Sequence, residues 1–183
     1  MISPGKGTLL IANPFLKDPN FTRTVVFLCE HQEEGTFGFV LNKICPQTLD
    51  ELLTDMEVKG IPTFYGGPVQ QNSIHFLHQY PKLIPGGEEV LKNTYWGGNF
   101  ESLLINIKLK NIDLNQIKFF LGYSGWGAGQ LNGEMNEKTW LTVEANESLI
   151  FNTPPEEMWK ASLKALGGDY EMMINFPLDP QLN

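Results

Sequence analysis

Apolar residues in this chain fall into short, dense runs separated by turn residues, and the spacing within each run predicts an element. Residues 7–12 read as a short strand broken at Asn13-Pro14. Residues 23–30 are β-branched and apolar, the mark of a strand buried on both faces. The polar turn His31-Gln32-Glu33-Glu34-Gly35 then leads into a strand over 36–41, which makes an antiparallel hairpin. Further strand-like runs occupy 63–65, 74–80, 89–96, 117–123, 139–145 and 149–151, with Gly66-Gly67-Pro68 and Pro85-Gly86-Gly87 as breaks.

Three segments switch to helical spacing. Thr48 and Glu51 form a capping box ahead of Leu49, Leu52, Leu53 and Met56. Asn99 can cap a helix with the stripe Phe100, Leu103, Leu104 and Ile107. The last helix has Thr153 as cap, Pro154 at the first helical position, Glu156 completing the box and Gly167 as its stop. Its stripe is Met158, Trp159, Ser162, Leu163 and Leu166. Most links between strands are too short for parallel crossovers. The pattern therefore predicts an α+β fold, a single domain over 1–183, with a largely antiparallel or mixed sheet and about three packed helices.

Composition narrows this further. The chain has 183 residues, of which 42% are hydrophobic and 19% charged, enough apolar content for one sizeable core. No apolar run approaches the roughly 18 residues of a membrane span. The net charge of −8 is spread along the whole chain and argues against a nucleic-acid backbone as direct partner. No secretion signal is visible at Met1-Ile2-Ser3-Pro4, and Cys29 and Cys45 read as reduced thiols, so the cytoplasm is the expected compartment.

The common catalytic and cofactor patterns fail one by one. No phosphate loop occurs, and the glycines at 125, 127 and 129 lack the one that a dinucleotide fingerprint requires at Gln130. Gly122-Tyr123-Ser124-Gly125-Trp126 misses the nucleophile elbow because an indole stands where the second small residue belongs, and all three histidines precede Ser124. His75 and His78 share an odd separation, which on a strand sends the rings to opposite faces and spoils a metal site. The carboxylate pairs Glu33/Glu34 and Glu88/Glu89 fall in turns, and Glu156/Glu157 opens a helix. No catalytic residue, metal ligand or cofactor is predicted.

What stands out is residues 122–130, read as a loop. Three glycines within five residues surround Trp126, leaving backbone N–H groups beside a large amphipathic ring, with Glu134 close behind. A wide turn that tucks Trp126 over the core fits this pattern. So does a recognition site for a peptide, a small molecule or an RNA base. Gly66-Gly67 offers a second place for close backbone approach.

Gly7-Thr8-Leu9-Leu10-Ile11-Ala12, Pro14, Phe21, Arg23-Thr24-Val25-Val26 and Gly38-Phe39-Val40-Leu41-Asn42-Lys43 together resemble the start of the YqgE/AlgH family. The resemblance continues through Gly66-Gly67-Pro68-Val69 and His78 to Leu121-Gly122-Tyr123-Ser124-Gly125-Trp126-Gly127-Ala128-Gly129-Gln130-Leu131, Glu134 and Trp140. It implies a bacterial, cytosolic, single-domain α+β protein from a largely uncharacterised family, some of whose members are labelled transcriptional regulators. No catalytic residue or cofactor comes with it. The chain departs from the family pattern at Ile44, where proline is usual, and at Ser124, where alanine is usual.

The expected function is a non-catalytic binding or regulatory module built on the 122–130 loop. Its candidate contact residues are Arg23, Asn42, Gly66, Gly67, Tyr123, Trp126, Gly127, Gly129, Gln130 and Glu134. Arg23 is suited to an anion, and Tyr123 and Trp126 to an apolar anchor. The partner would be a protein or a small molecule, with no direct nucleic acid and no membrane. Two alternatives stand beside this: an enzyme or cofactor-binding protein with an unidentified ligand, and a transcriptional regulator acting through a protein partner.

Overall fold

Nine strands lie in one curled sheet, described here by a computed structural model that covers residues 1–178. They are β1 (Thr8–Ala12), β2 (Val25–His31), β3 (Gly35–Val40), β4 (Thr63–Tyr65), β5 (Val69–His78), β6 (Glu88–Leu91), β7 (Thr94–Trp96), β8 (Ile117–Gly127) and β9 (Trp140–Glu144). The path runs β6-β7-β5-β8-β3-β2-β1-β9, and β4 lies off it against β8. Every pairing is antiparallel except that of β4 with β8. Among the described residues, four α-helices flank the sheet: α1 (Leu49–Leu52), α2 (Phe100–Lys108), α3 (Gln130–Asn136) and α4 (Pro155–Leu166). The result is one compact α+β unit, as the spacing predicts.

The central strand β8 joins the two halves of the sheet. Its first part pairs with β5 and β4, and its last four residues, from Ser124, pair with β3. Gly122 sits at the changeover with φ +66°. This left-handed residue resets the alternation, so that Phe120 and Tyr123, an odd distance apart, both pack on the same core. Opposite it, β5 bulges between Val69 and Ile74.

β1 and β2 are buried on both faces. Leu9, Ile11, Val25 and Phe27 meet Met158, Trp159 and Leu163 of α4. On the other face, Leu10, Val26 and Leu28 meet Leu131 of α3 with Trp126 and Trp140. A third cluster sets Leu103 and Ile107 of α2 over Phe76 and Phe119. Asn99 caps α2 as expected, its Oδ1 accepting the Ser102 N–H at 2.7 Å.

Several expectations need correcting. The segment over 122–130 is not a loop: β8 runs to Gly127, and α3 starts at Gln130 with Gly129 (φ +72°) as its N-cap. Residues 149–151 belong to a π turn, Ser148–Asn152, because Asn146 Oδ1 accepts the Leu149 N–H at 2.9 Å and winds the chain. That turn also displaces the cap of α4. Thr153 Oγ1 donates to Ser148 O at 2.9 Å, Pro154 takes the cap position and Pro155 the first turn. The first helix stops at Leu52, as Leu53 is already extended (φ −112°, ψ 124°), although Glu51 does close its box on the Thr48 N–H at 2.9 Å. Residues 89–96 form two strands, split by a turn through Asn93 at φ +60°. Glu88 and Glu89 consequently lie in β6 rather than in a turn. Arg23 precedes β2 in a turn, at φ +52°.

Candidate functional site

Trp126 and Trp140 point into the core behind β8, where Phe21 packs against both rings, with centroids 6.4 and 5.4 Å away. Burying two indoles leaves two N–H donors that need acceptors. Glu134, one helical turn along from Gln130, supplies both. Its Oε2 accepts Trp126 Nε1 at 2.9 Å and Trp140 Nε1 at 2.7 Å. Gln130 then bridges the end of β8 to this carboxylate, accepting the Gly127 N–H at 3.0 Å and donating to Glu134 Oε1 at 3.4 Å. The conspicuous backbone and aromatic groups at the end of β8 are thus largely used by the protein itself.

Gly66 and Gly67 approach a backbone closely, and it is the chain's own. A Cβ on Gly67 would run into the Tyr123 carbonyl, and one on Gly122 would lie 2.6 Å from Val69 O. Ser124 Oγ, wholly buried, donates to Gly66 O at 3.0 Å, which leaves no exposed hydroxyl for nucleophilic work. Asn42 clips the turn before β2, accepting the Val25 N–H and donating to Arg23 O, both at 3.0 Å. The Arg23 guanidinium lies 4.7 Å over the Trp159 ring and donates to Phe176 O. These candidates therefore do not converge on one site.

Of the candidates, Tyr123 opens onto something larger. With Phe37 and Phe39 of β3, His75 of β5 and Trp96 of β7, it lines an open hollow of about 630 Å³ whose wall also includes Trp126. The rings touch in sequence: Phe37 to Trp96 at 4.7 Å, Phe37 to Tyr123 at 6.1 Å, His75 to Tyr123 at 5.9 Å and Phe39 to His75 at 5.4 Å between centroids. Gly125 stands opposite Phe37 in the sheet and leaves room for the Tyr123 ring, since a Cβ there would sit 3.3 Å from Tyr123 Cε2. Glu30, Gln32 and Glu34, from the hairpin end of β2 and β3, border the opening. Burial pushes the His75 imidazole below its ordinary pKa, favouring the neutral ring, and its Nε2 is shielded without a hydrogen-bond partner. The sequence reading missed Phe37, Phe39 and Trp96. Its one available signal was the alternation of Phe37 and Phe39 about Gly38.

A model of the AlgH-like family (DUF179) matches residues 9–171, through the indole pair and the hollow alike. The chain belongs to the AlgH-like family. A UPF0301 protein from Cytophaga hutchinsonii is 41% identical over 179 residues, 97% of this chain and 98% of that one. Another from Chlorobium limicola is 41% identical over 182 residues, covering 100% of this chain and 96% of the relative. The solution structure of the AlgH protein from Pseudomonas aeruginosa is 31% identical, with 97% of each chain covered and a TM-score of 0.76. The crystal structure of protein DIP2367 from Corynebacterium diphtheriae shares the fold at 20% identity and a TM-score of 0.75, covering 96% of this chain and 94% of its own.

Other buried polar groups of this AlgH-like chain serve the fold. His78 is fully enclosed, its Nε2 donating to Gly97 O at 2.8 Å and its Nδ1 accepting the Tyr80 N–H at 3.1 Å. It points away from His75, as their odd separation predicts. Lys118 is buried with Nζ 4.6 Å over the Phe64 ring, and burial brings its pKa down to about 8. Burial likewise raises the Cys29 thiol, with Glu88 adding to the effect, so the unreactive protonated form dominates. Among the described residues, no three His, Cys, Asp or Glu side chains gather in a metal-holding group, and no helix is long and apolar enough to cross a membrane.

Proposed function

We propose that this AlgH-like chain is a non-catalytic binding module whose ligand enters the hollow between β3, β5, β7 and β8. The observation that carries the reading is the convergence of Phe37, Phe39, His75, Trp96 and Tyr123 on one open cavity. Large concave sites lined by aromatic groups, with few polar atoms, are where small ligands bind. The lining offers no serine, cysteine or lysine for His75 to activate, and its threonine, Thr36, is already bonded to His31 Nδ1 at 2.6 Å. That favours binding over covalent catalysis.

The reading moves the site off the end of β8, because Trp126 is only 5% exposed and its N–H is taken by Glu134. Of the candidate residues, Tyr123 and Trp126 also line the hollow, and Tyr123 is the one left half-buried there. A regulatory output would pass through a protein partner, since the acidic chain is unsuited to the phosphate backbone. The cytoplasm is the compartment we assign, supported by the two buried, unpaired thiols Cys29 and Cys45. A fragment screen followed by amide and side-chain NMR tests the site. Shifts should cluster on Phe37, His75, Trp96 and Tyr123. Hits confined to the surface around Asn13, Lys17 and Lys138, or no hits at all, would reject it.

A further inference from the structure

From the reading of the hollow as a ligand site, we infer that its ligand is an organic ammonium cation carried on an apolar body. Charge is the first ground. Glu30 and Glu34 border the opening, and the lining contains no lysine or arginine. Among the described residues, the ion pairs are Lys6–Glu88, Lys59–Asp50 and Lys108–Glu57, so neither rim carboxylate has a cationic partner. An anionic ligand would meet two negative charges at the entrance and no positive one.

Ring chemistry is the second ground. Phe37, Tyr123 and Trp96 present π-systems whose faces are negative, and a cation held against such a face is attracted more strongly as water is excluded. Half-buried rings at the wall of a hollow provide that partial exclusion. Among the described residues no three His, Cys, Asp or Glu side chains gather to hold a metal ion, whereas a cavity of about 630 Å³ has room for an amine with a hydrocarbon or aromatic body. The site thus provides apolar and aromatic surface for the body and carboxylates for the charge.

The test uses three probes of matched shape: phenethylamine as its ammonium cation, phenethyl alcohol and phenylacetate. Each is titrated into the full chain at neutral pH, with the resonances of His75, Trp96 and Tyr123 as readout. The cation should bind about tenfold more tightly than the alcohol, and phenylacetate more weakly than either. A Glu30→Gln/Glu34→Gln double variant should reduce the preference for the cation to about twofold while leaving the alcohol's affinity within about twofold. High salt should weaken the preference in the unmodified protein, a control that needs no variant. Equal or tighter binding of the alcohol or phenylacetate in the hollow overturns the cation assignment and leaves the ligand site standing. If none of the three probes shifts the hollow resonances, both readings fall.

Discussion

On one side of β8, Trp126 and Trp140 give both indole N–H groups to Glu134 Oε2, at 2.9 and 2.7 Å. On the other, Tyr123 and His75 stand at the edge of an open hollow, and His75 Nε2 has no partner. Both regions are rich in aromatic rings, and the same strand builds both. They differ in whether their polar groups are already answered. A constellation whose donors and acceptors all meet inside the protein is part of the scaffold. One that leaves half-buried rings open and two carboxylates without an ion-pair partner is equipped for something that comes from outside. Conspicuous residues in a sequence and open chemistry in a structure need not coincide.

The two regions stay distinct only while β8 is held rigidly between them, and Gly67 is where that hold breaks most readily. Its backbone lies against Tyr123 and Ser124 with φ +155°, so an alanine there is both strained and blocked. Gly67→Ala should cost more than about 3 kcal/mol in urea unfolding, and should disturb Tyr123 and Trp126 resonances together. A loss under about 1 kcal/mol would mean that the strand can shift, and that the two faces are not fixed relative to each other.

Glu134 probes the closed side alone. Glu134→Ala strands two buried indole donors and should cost about 2–3 kcal/mol, whereas Glu134→Gln, which keeps an acceptor, should cost about 1 kcal/mol. The hollow resonances should stay where they are in both variants. If Glu134→Ala is nearly neutral, the indole pair is satisfied some other way and its scaffold role fails.

These two residues also show what a sequence can and cannot reveal here. The doubly buried β2, the β2–β3 hairpin and the Asn99 cap were legible because each rests on local pattern or on one short-range hydrogen bond. The role of Glu134 was not, since it depends on Trp140 of β9 sitting beside Trp126 of β8, a pairing made in three dimensions. The same holds for the hollow. Phe37 and Tyr123 meet because β3 and β8 are neighbours in the sheet, although a long stretch of chain separates them. The π turn at Ser148–Asn152 misled for a different reason: a run of three apolar residues has no period, and Asn146 decided the winding.

The smallest effect is the sharpest test of the open side. His75→Phe removes a titrating ring whose Nε2 bonds to nothing, so at neutral pH it should change stability by less than about 1 kcal/mol. The distinction appears in acid. Burial holds the folded-state pKa of His75 below its ordinary 6.5, so the unfolded chain takes up the proton first as the pH falls. Stability from this group is therefore present above that value and lost below it. His78 acts in the same direction, again through burial and against the hydrogen bond to Gly97 that partly offsets it. The wild-type chain should thus lose stability through both rings on acidification, and His75→Phe through His78 alone. Urea midpoints measured as the pH is lowered from 6.5 should fall less steeply in the variant. Parallel curves would mean that His75 is as well solvated as in the unfolded chain. The hollow would then be ordinary wet surface, and its contrast with the indole pair would vanish.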